Sequence, residues 1–301
     1  MSTVRYAAAL AAATLMASAL PAQILFQTGF EAIDRDGRYT TGNLNGQPTQ
    51  NPDGTTNVSG PFWTTQAGDA VVEADGPTRV VRMSNGARVD RSLANLSVPA
   101  GRKVFVEGFF RGAGSGVTLA NANYPTVSGG GAATSAIIHF SSANGMEALD
   151  GDGSGAGTVT SLSQPLGTPN QDTYFRITLE LDYTAQTYNV YVDGVKKNSS
   201  ALGFRDNVTS LSGTQWLAET ELRADRFRVA LPLTGDANGD NQADSGDIVA
   251  AMNYMSYDPD TYDPVLVRNV AFQGAQDGGR LVVSTNDIVG LADLITANFP
   301  P

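Results

Sequence analysis

Apolar and polar residues alternate with period two along much of this chain. In the segment 174–183, Phe175, Ile177, Leu179 and Leu181 point one way, and Arg176, Thr178, Glu180 and Asp182 the other. That is the pattern of a strand with one face in a core. Tyr188, Val190 and Val192 likewise oppose Asn189, Tyr191 and Asp193. A tight turn at 184–186 joins the two runs, and Asp193-Gly194 supplies the next turn. Further strands are predicted at 79–83, 103–110, 135–140 and 223–231. Stretches rich in Gly, Ser, Thr and Asn separate them, and no long helical pattern interrupts them. Many short strands with turn signals between them predict an all-β sandwich or barrel over 24–231.

After residue 231 the period changes. Ile248, Ala251, Met252 and Met255 recur at helical spacing. The stretch before them is Gly235-Asp-Ala-Asn-Gly-Asp-Asn-Gln-Ala-Asp-Ser-Gly-Asp247. With Asp236 as position 1 of a calcium loop, oxygen-bearing side chains fall at position 3 (Asn238), 5 (Asp240), 9 (Asp244) and 12 (Asp247). Gln242 sits at position 7, where its backbone carbonyl suffices. A hard cation takes six to eight oxygens on a tightly turning loop, and this spacing supplies them. Four carboxylates in twelve residues would otherwise repel one another. Asn241 replaces the usual glycine of the sharp turn, and Asn tolerates left-handed backbone angles next best. No helix is predicted before the loop, because Pro232 precedes it.

A loop followed by one helix, with Asp at position 12, resembles the first repeat of a type I dockerin. Such a module has two repeats. Asp287, with Ile288, Leu291, Ala292 and Ile295 after it, is similar to position 12 and the helix of the second. Its loop departs from the pattern: Gln276 stands at position 1, Gly278 at 3, Arg280 at 5 and Ser284 at 9. The expectation over 235–301 is one good calcium site and one degenerate repeat. The resemblance implies a cohesin-like protein partner, selected through Ser245-Gly246 and Thr285-Asn286 at loop positions 10 and 11.

The sandwich region carries a resemblance of its own. The hairpin over 175–196, the opening Thr28-Gly-Phe-Glu31 with Gly42-Asn-Leu-Asn-Gly-Gln47 and then Trp63, and the closing strand Arg223-Ala-Asp-Arg-Phe-Arg-Val229 resemble concanavalin A-like, laminin-G-like domains of exported bacterial proteins. The implied fold is a concanavalin A-like jelly-roll β-sandwich, followed by a small α-helical dockerin or EF-hand-like module.

Composition fixes the compartment. Arg5 followed by an uncharged, alanine-rich run over 6–20 reads as a signal peptide over 1–22, with cleavage after Ala19 or Ala22. The run is short for a membrane span, and no other segment approaches that length. The expected location is secreted or cell-surface. Zero cysteines exclude a disulfide framework. The net charge of −11 is concentrated in the tail, where 235–301 hold ten Asp against two Arg. Nothing basic invites nucleic acid.

Candidate catalytic groups are few. Glu180-Leu-Asp182 and Glu73-Ala-Asp75 begin the Glu-x-Asp-x-x-Glu pattern of some glucanases, but neither carries the third carboxylate. Both are expected to face solvent on a strand or turn. His139 is the only histidine, set in an apolar run, and is expected to be a packed strand residue. Asp150, Asp152 and Ser154 form a glycine-rich turn rather than a second calcium loop. Trp63, Trp216, Tyr124 and Tyr191 are candidates to stack on sugar rings. These features favour a glycan-binding or surface-ligand-binding module over a divergent hydrolase or lyase, with a structural envelope protein as a further alternative.

Overall fold

The computed structural model describes residues 23–32, 37–50, 55–56, 62–98, 100–112, 124–128, 133–141, 144–164, 174–231, 235, 237, 243–255, 276–277, 280–281 and 283–298. The predicted signal segment lies outside them. Strands β1 (Gln23–Thr28), β15 (Leu222–Leu231), β5 (Val104–Gly112), β10 (Phe175–Asp182) and β11 (Thr187–Val192) form one antiparallel sheet. The short strands β12 (Val195–Lys196) and β13 (Leu202–Gly203) pair with the far side of β11. A second sheet runs through β2 (Gly42–Asn43), β3 (Trp63–Asp75), β4 (Thr78–Ser97), β14 (Ser210–Ala218), β6 (Tyr124–Ser128), β7 (Thr134–Ser141), β8 (Gly145–Gly151) and β9 (Gly157–Gln164). β4 also pairs with β15, so the sheets join at one corner. The result is an all-β jelly-roll sandwich with a small helical tail.

Aromatic rings fill the space between the sheets. Trp63 on β3 and Trp216 on β14 pack with ring centroids 4.5 Å apart. Phe227 and Phe110 of the facing sheet meet Trp216 edge-on at 5.2 and 5.7 Å. Such pairs add about 0.5–1.5 kcal/mol each beyond the area they bury. The opening motif serves this core. Phe30 and Leu44 are fully buried. The Gln47 side-chain amide donates to the carbonyls of Thr40 and Asn43 and accepts from the Thr40 N–H, closing the loop that delivers Trp63. The indole N–H of Trp63 donates to Tyr39 Oη at 2.9 Å.

The β10–β11 hairpin has the register its alternation predicts, Leu179 opposite Val190 and Leu181 opposite Tyr188. The turns at the two ends of β11 sit at left-handed angles, Gln186 at φ 57° before it and Asp193 and Gly194 at φ 50° and 78° after it, and of these Asp and Gly are the types that adopt them readily. Asp182 Oδ1 accepts the N–H groups of Thr184 and Ala185, holding the first turn.

Among the described residues the tail holds two helices, α1 (Ser245–Met255) and α2 (Thr285–Asn298). They share a small core of Ala237, Ala251, Val283 and Leu291, flanked by Ile248, Ile288 and Ile295. Between them β16 (Gln276–Asp277) and β17 (Arg280–Leu281) form a tight hairpin. β17 touches the sandwich edge through the pair Val195–Arg280. No described helix is long and apolar enough to cross a membrane.

Leu179 is 4% exposed in the sandwich core. Leu179→Ala is expected to cost about 2–5 kcal/mol of unfolding free energy, through lost contacts and the cavity left behind. Urea denaturation measures it, and a loss under about 0.5 kcal/mol would contradict this packing.

Candidate functional sites on the sheet face and the tail

Alternation along β5, β10 and β15 sends a second set of side chains to the outside of the first sheet. This face is not the solvated surface that the pattern predicts. Thr178 and Glu180 are as buried as the core residues beside them, and Glu107 is 5% exposed. The reason is cross-strand cover by long neighbours. Glu107 Oε1 accepts from Arg228 at 2.9 Å, and its other oxygen meets Arg176 Nε at 3.0 Å and the Thr178 hydroxyl at 2.8 Å. Glu180 is held by the Lys103 ammonium and accepts the Tyr191 phenol proton at 2.8 Å. The expectation that Glu180 faces solvent is therefore corrected.

The same face carries aromatic rings beside guanidinium groups. Arg176 and Arg226 lie 5.8 and 5.6 Å from the centre of the half-buried Phe109 ring. Arg111 lies 5.3 Å from the Tyr174 ring, and the Tyr174 hydroxyl donates to Asp75 at 3.0 Å. Burial, reinforced by Asp75, pushes the Tyr174 phenol well above its usual range. It stays protonated and acts as a donor, not as a base. Glu73 bridges Arg82 at 2.9 Å and Arg223 at 3.3 Å, so the Glu73–Asp75 pair is tied into ion pairs.

His139 faces away from the sandwich core on β7. Its Nδ1 lies 2.9 Å from Glu147 Oε2 across the β7–β8 pair, and Asn144 donates to the other Glu147 oxygen at 2.8 Å. Nε2 is buried without a hydrogen-bond partner among the described residues. Asp152 closes the β8–β9 turn, and the Ser154 N–H and hydroxyl hold its carboxyl below the usual range. Asp150 accepts the Gly203 N–H at 2.7 Å. The two side chains thus brace a loop.

Of the sugar-stacking candidates, Trp63 and Trp216 are fully buried in the core and Tyr191 is buried against Glu180. Tyr124 begins β6, and its side chain lies outside the described residues. The half-buried rings described on the outer face of the first sheet are instead Phe109 and Tyr174. Sequence reasoning did not single these out as ligand groups, because only strand pairing shows that guanidiniums flank them.

Of the predicted calcium ligands, Asp236, Asn238, Asp240 and Gln242 lie outside the described residues. Asp247 is fully buried at the start of α1. One of its oxygens accepts the Ala237 N–H and the other the Asp244 N–H, both at 2.7 Å. Asp247 thus ties the backbone at 237 and 244 to the start of α1. In the second repeat Asp287 is equally buried, but it bonds the N–H and hydroxyl of Ser284 at 2.8 and 2.6 Å. There Gln276–Asp277, at the first loop positions, pairs with Arg280–Leu281 as β16 and β17.

No family model matches the chain, and no curated protein matches it. Among solved structures, a sialidase is similar over 59% of this chain and 17% of its own, at 8% identity and a TM-score of 0.42. The binding domain of botulinum neurotoxin serotype D is similar over 66% of this chain and 49% of that one, at 15% identity and a TM-score of 0.41. A carbohydrate esterase from a Shiga toxin-encoding bacteriophage is similar over 64% of this chain and 100% of its own, at 10% identity and a TM-score of 0.42. The chain thus spans less than two thirds of the sialidase and of the toxin domain.

Glu107 organises the outer face, and its removal leaves two guanidinium groups without their shared carboxylate. Glu107→Ala is expected to destabilise the fold by about 3–5 kcal/mol, the range for breaking a buried ion pair from one side. Equilibrium unfolding checks this, and a loss no larger than that of an exposed Glu219→Ala control would refute it.

Proposed function

We propose that this is an exported surface protein in which a non-catalytic sandwich binds glycan and a calcium-dependent, dockerin-like tail docks it to a cohesin-like partner. One observation carries the docking part. Among the described side chains of the tail helices, Val249, Met252, Met255 and Val289 are large, apolar and exposed, at 61, 57, 42 and 55%. Val249 and Val289 hold the same position in the two repeats, two residues after Asp247 and Asp287. Exposed apolar groups gathered on a small module mark an interaction surface.

Calcium fits the first repeat. Asp236, Asn238, Asp240, the Gln242 carbonyl, Asp244 and Asp247 would hold it, and Asp247 already accepts the Ala237 and Asp244 N–H groups. The ion would neutralise the loop carboxylates and add its binding energy to the stability of the module. The glycan-binding part rests on the rings and guanidiniums of the outer sheet face. Binding is favoured over catalysis because neither Glu180-Leu-Asp182 nor Glu73-Ala-Asp75 is followed by the third carboxylate of the glucanase pattern. The His139–Glu147 pair is the observation that favours a hydrolase or lyase instead.

Docking is tested by titrating the mature protein with a cohesin domain. Val249→Asp with Met252→Asp is expected to weaken docking at least about a hundredfold while calcium binding persists. Asp240→Ala should lose most calcium affinity, and Asp287→Ala little. Unchanged docking in the double variant, or two calcium ions bound, would contradict the reading.

A further inference from the structure

We infer that the outer face of the first sheet recognises a carboxylated sugar, with Arg226 as the residue that binds the carboxylate and Phe109 as the ring under it. This deepens the glycan-binding reading and rests on it. Three observations carry it. First, β15 has a register irregularity between Asp225 and Arg228, directly beside Phe109, which pairs with Asp225. Bulges of this kind re-aim a side chain.

Second, Arg226 occupies the irregularity at φ 47°. A glycine holds left-handed angles without the clash that a Cβ brings. An arginine there is strained, and strain of this sort marks places where the side chain itself is needed. Third, the Arg226 side chain is 65% exposed, and its nearest carboxylate, Asp225, is 3.7 Å away. The neighbouring Arg176 and Arg228 are instead spent on Glu107. The fork of Arg226 is thus presented beside an aromatic ring.

The chemistry selects the ligand class. A planar guanidinium takes a carboxylate through two parallel hydrogen bonds. The flat Phe109 ring beside it adds an apolar surface for the C–H face of a sugar. A neutral sugar would offer the guanidinium only uncharged hydroxyl acceptors, without the charge and the paired oxygens of a carboxylate. The chain's acidity does not oppose an anion here, because its excess of Asp lies in 235–301. The occupant that matches ring and fork together is a uronic acid unit of an acidic polysaccharide.

Calorimetric titration of the full mature protein with tetragalacturonate, and with its neutral methyl ester, tests this. The acid is expected to bind, with affinity falling as salt rises, and the ester to bind about tenfold or more weakly. Arg226→Gly should weaken the acid about tenfold to a hundredfold, the usual effect of a lost charge-assisted hydrogen-bond pair. It should leave the ester unchanged, with an unfolding midpoint no lower than the parent's. Arg226→Lys, which keeps charge and loses the fork, should fall between. An Arg226→Gly variant that binds the acid like the parent, or an ester bound as tightly as the acid, overturns the inference. If a panel of neutral glycans binds and the acid does not, this inference fails and the glycan-binding reading stands. If no glycan binds, both fail.

Discussion

The contact between Trp63 and Trp216 is the constraint on which the rest of the sandwich depends. The two indoles come from different strands of one sheet, and Phe26, Phe110 and Phe227 reach them from the other. Rings of this size hold the sheets at a fixed separation. The backbone is shaped to admit them. A Cβ at Gly108 would lie 2.6 Å from the Phe110 ring and 3.2 Å from that of Phe227, so the centre of β5 carries no side chain inward. With the inward positions fixed, strand alternation dictates which residues face out.

That dictation gives the outer face its character. Glu107, two residues along β5 from Phe105 and Phe109, emerges between β10 and β15 where Arg176, Thr178 and Arg228 converge. A charge buried this deeply needs partners, and the neighbours are used up satisfying it. Phe109 and Arg226 sit at the margin of that network, where the irregularity in β15 leaves the Arg226 guanidinium mostly exposed beside Asp225. The residues that hold this face together are therefore not the ones proposed to bind a ligand on it. The tail is built on another plan, with its own core of small apolar residues and a buried Asp at the start of each helix. Its inner contacts use Ala251 and Leu291, which leaves larger side chains such as Met252 outside.

The sequence was most legible where one strand alternates without interruption. The 187–192 strand has the bounds predicted, and 174–183 and 223–231 differ from β10 and β15 only at their ends. β3 was not legible, because its pairing with β4 shifts register between Thr65 and Ala67 and again between Ala67 and Asp69. Trp63 and Ala70 both point inward although seven residues separate them, so no single period describes the strand. β9 offers only Val159 and Leu162 as large apolar residues, and Ser163 sits at φ 50°. For α1, helical spacing placed Met252 and Met255 on the inner stripe, whereas the close fit of Ala251 against α2 turns them outward. The outer-face network was hidden for a different reason. Glu107 is 69 residues from Arg176 and 121 from Arg228, and only the sheet order brings them together. The fate of the tryptophans, core or sugar platform, depended on the same information.

Iodide quenching of tryptophan fluorescence tests the central packing most directly, because Trp63 and Trp216 are the only tryptophans in the chain. With both indoles fully buried, the native protein is predicted to show blue-shifted emission that iodide barely quenches. The shift and the protection should be lost together in a single unfolding transition. Native emission quenched as strongly as that of the unfolded chain would place an indole at the surface and contradict the account of the core.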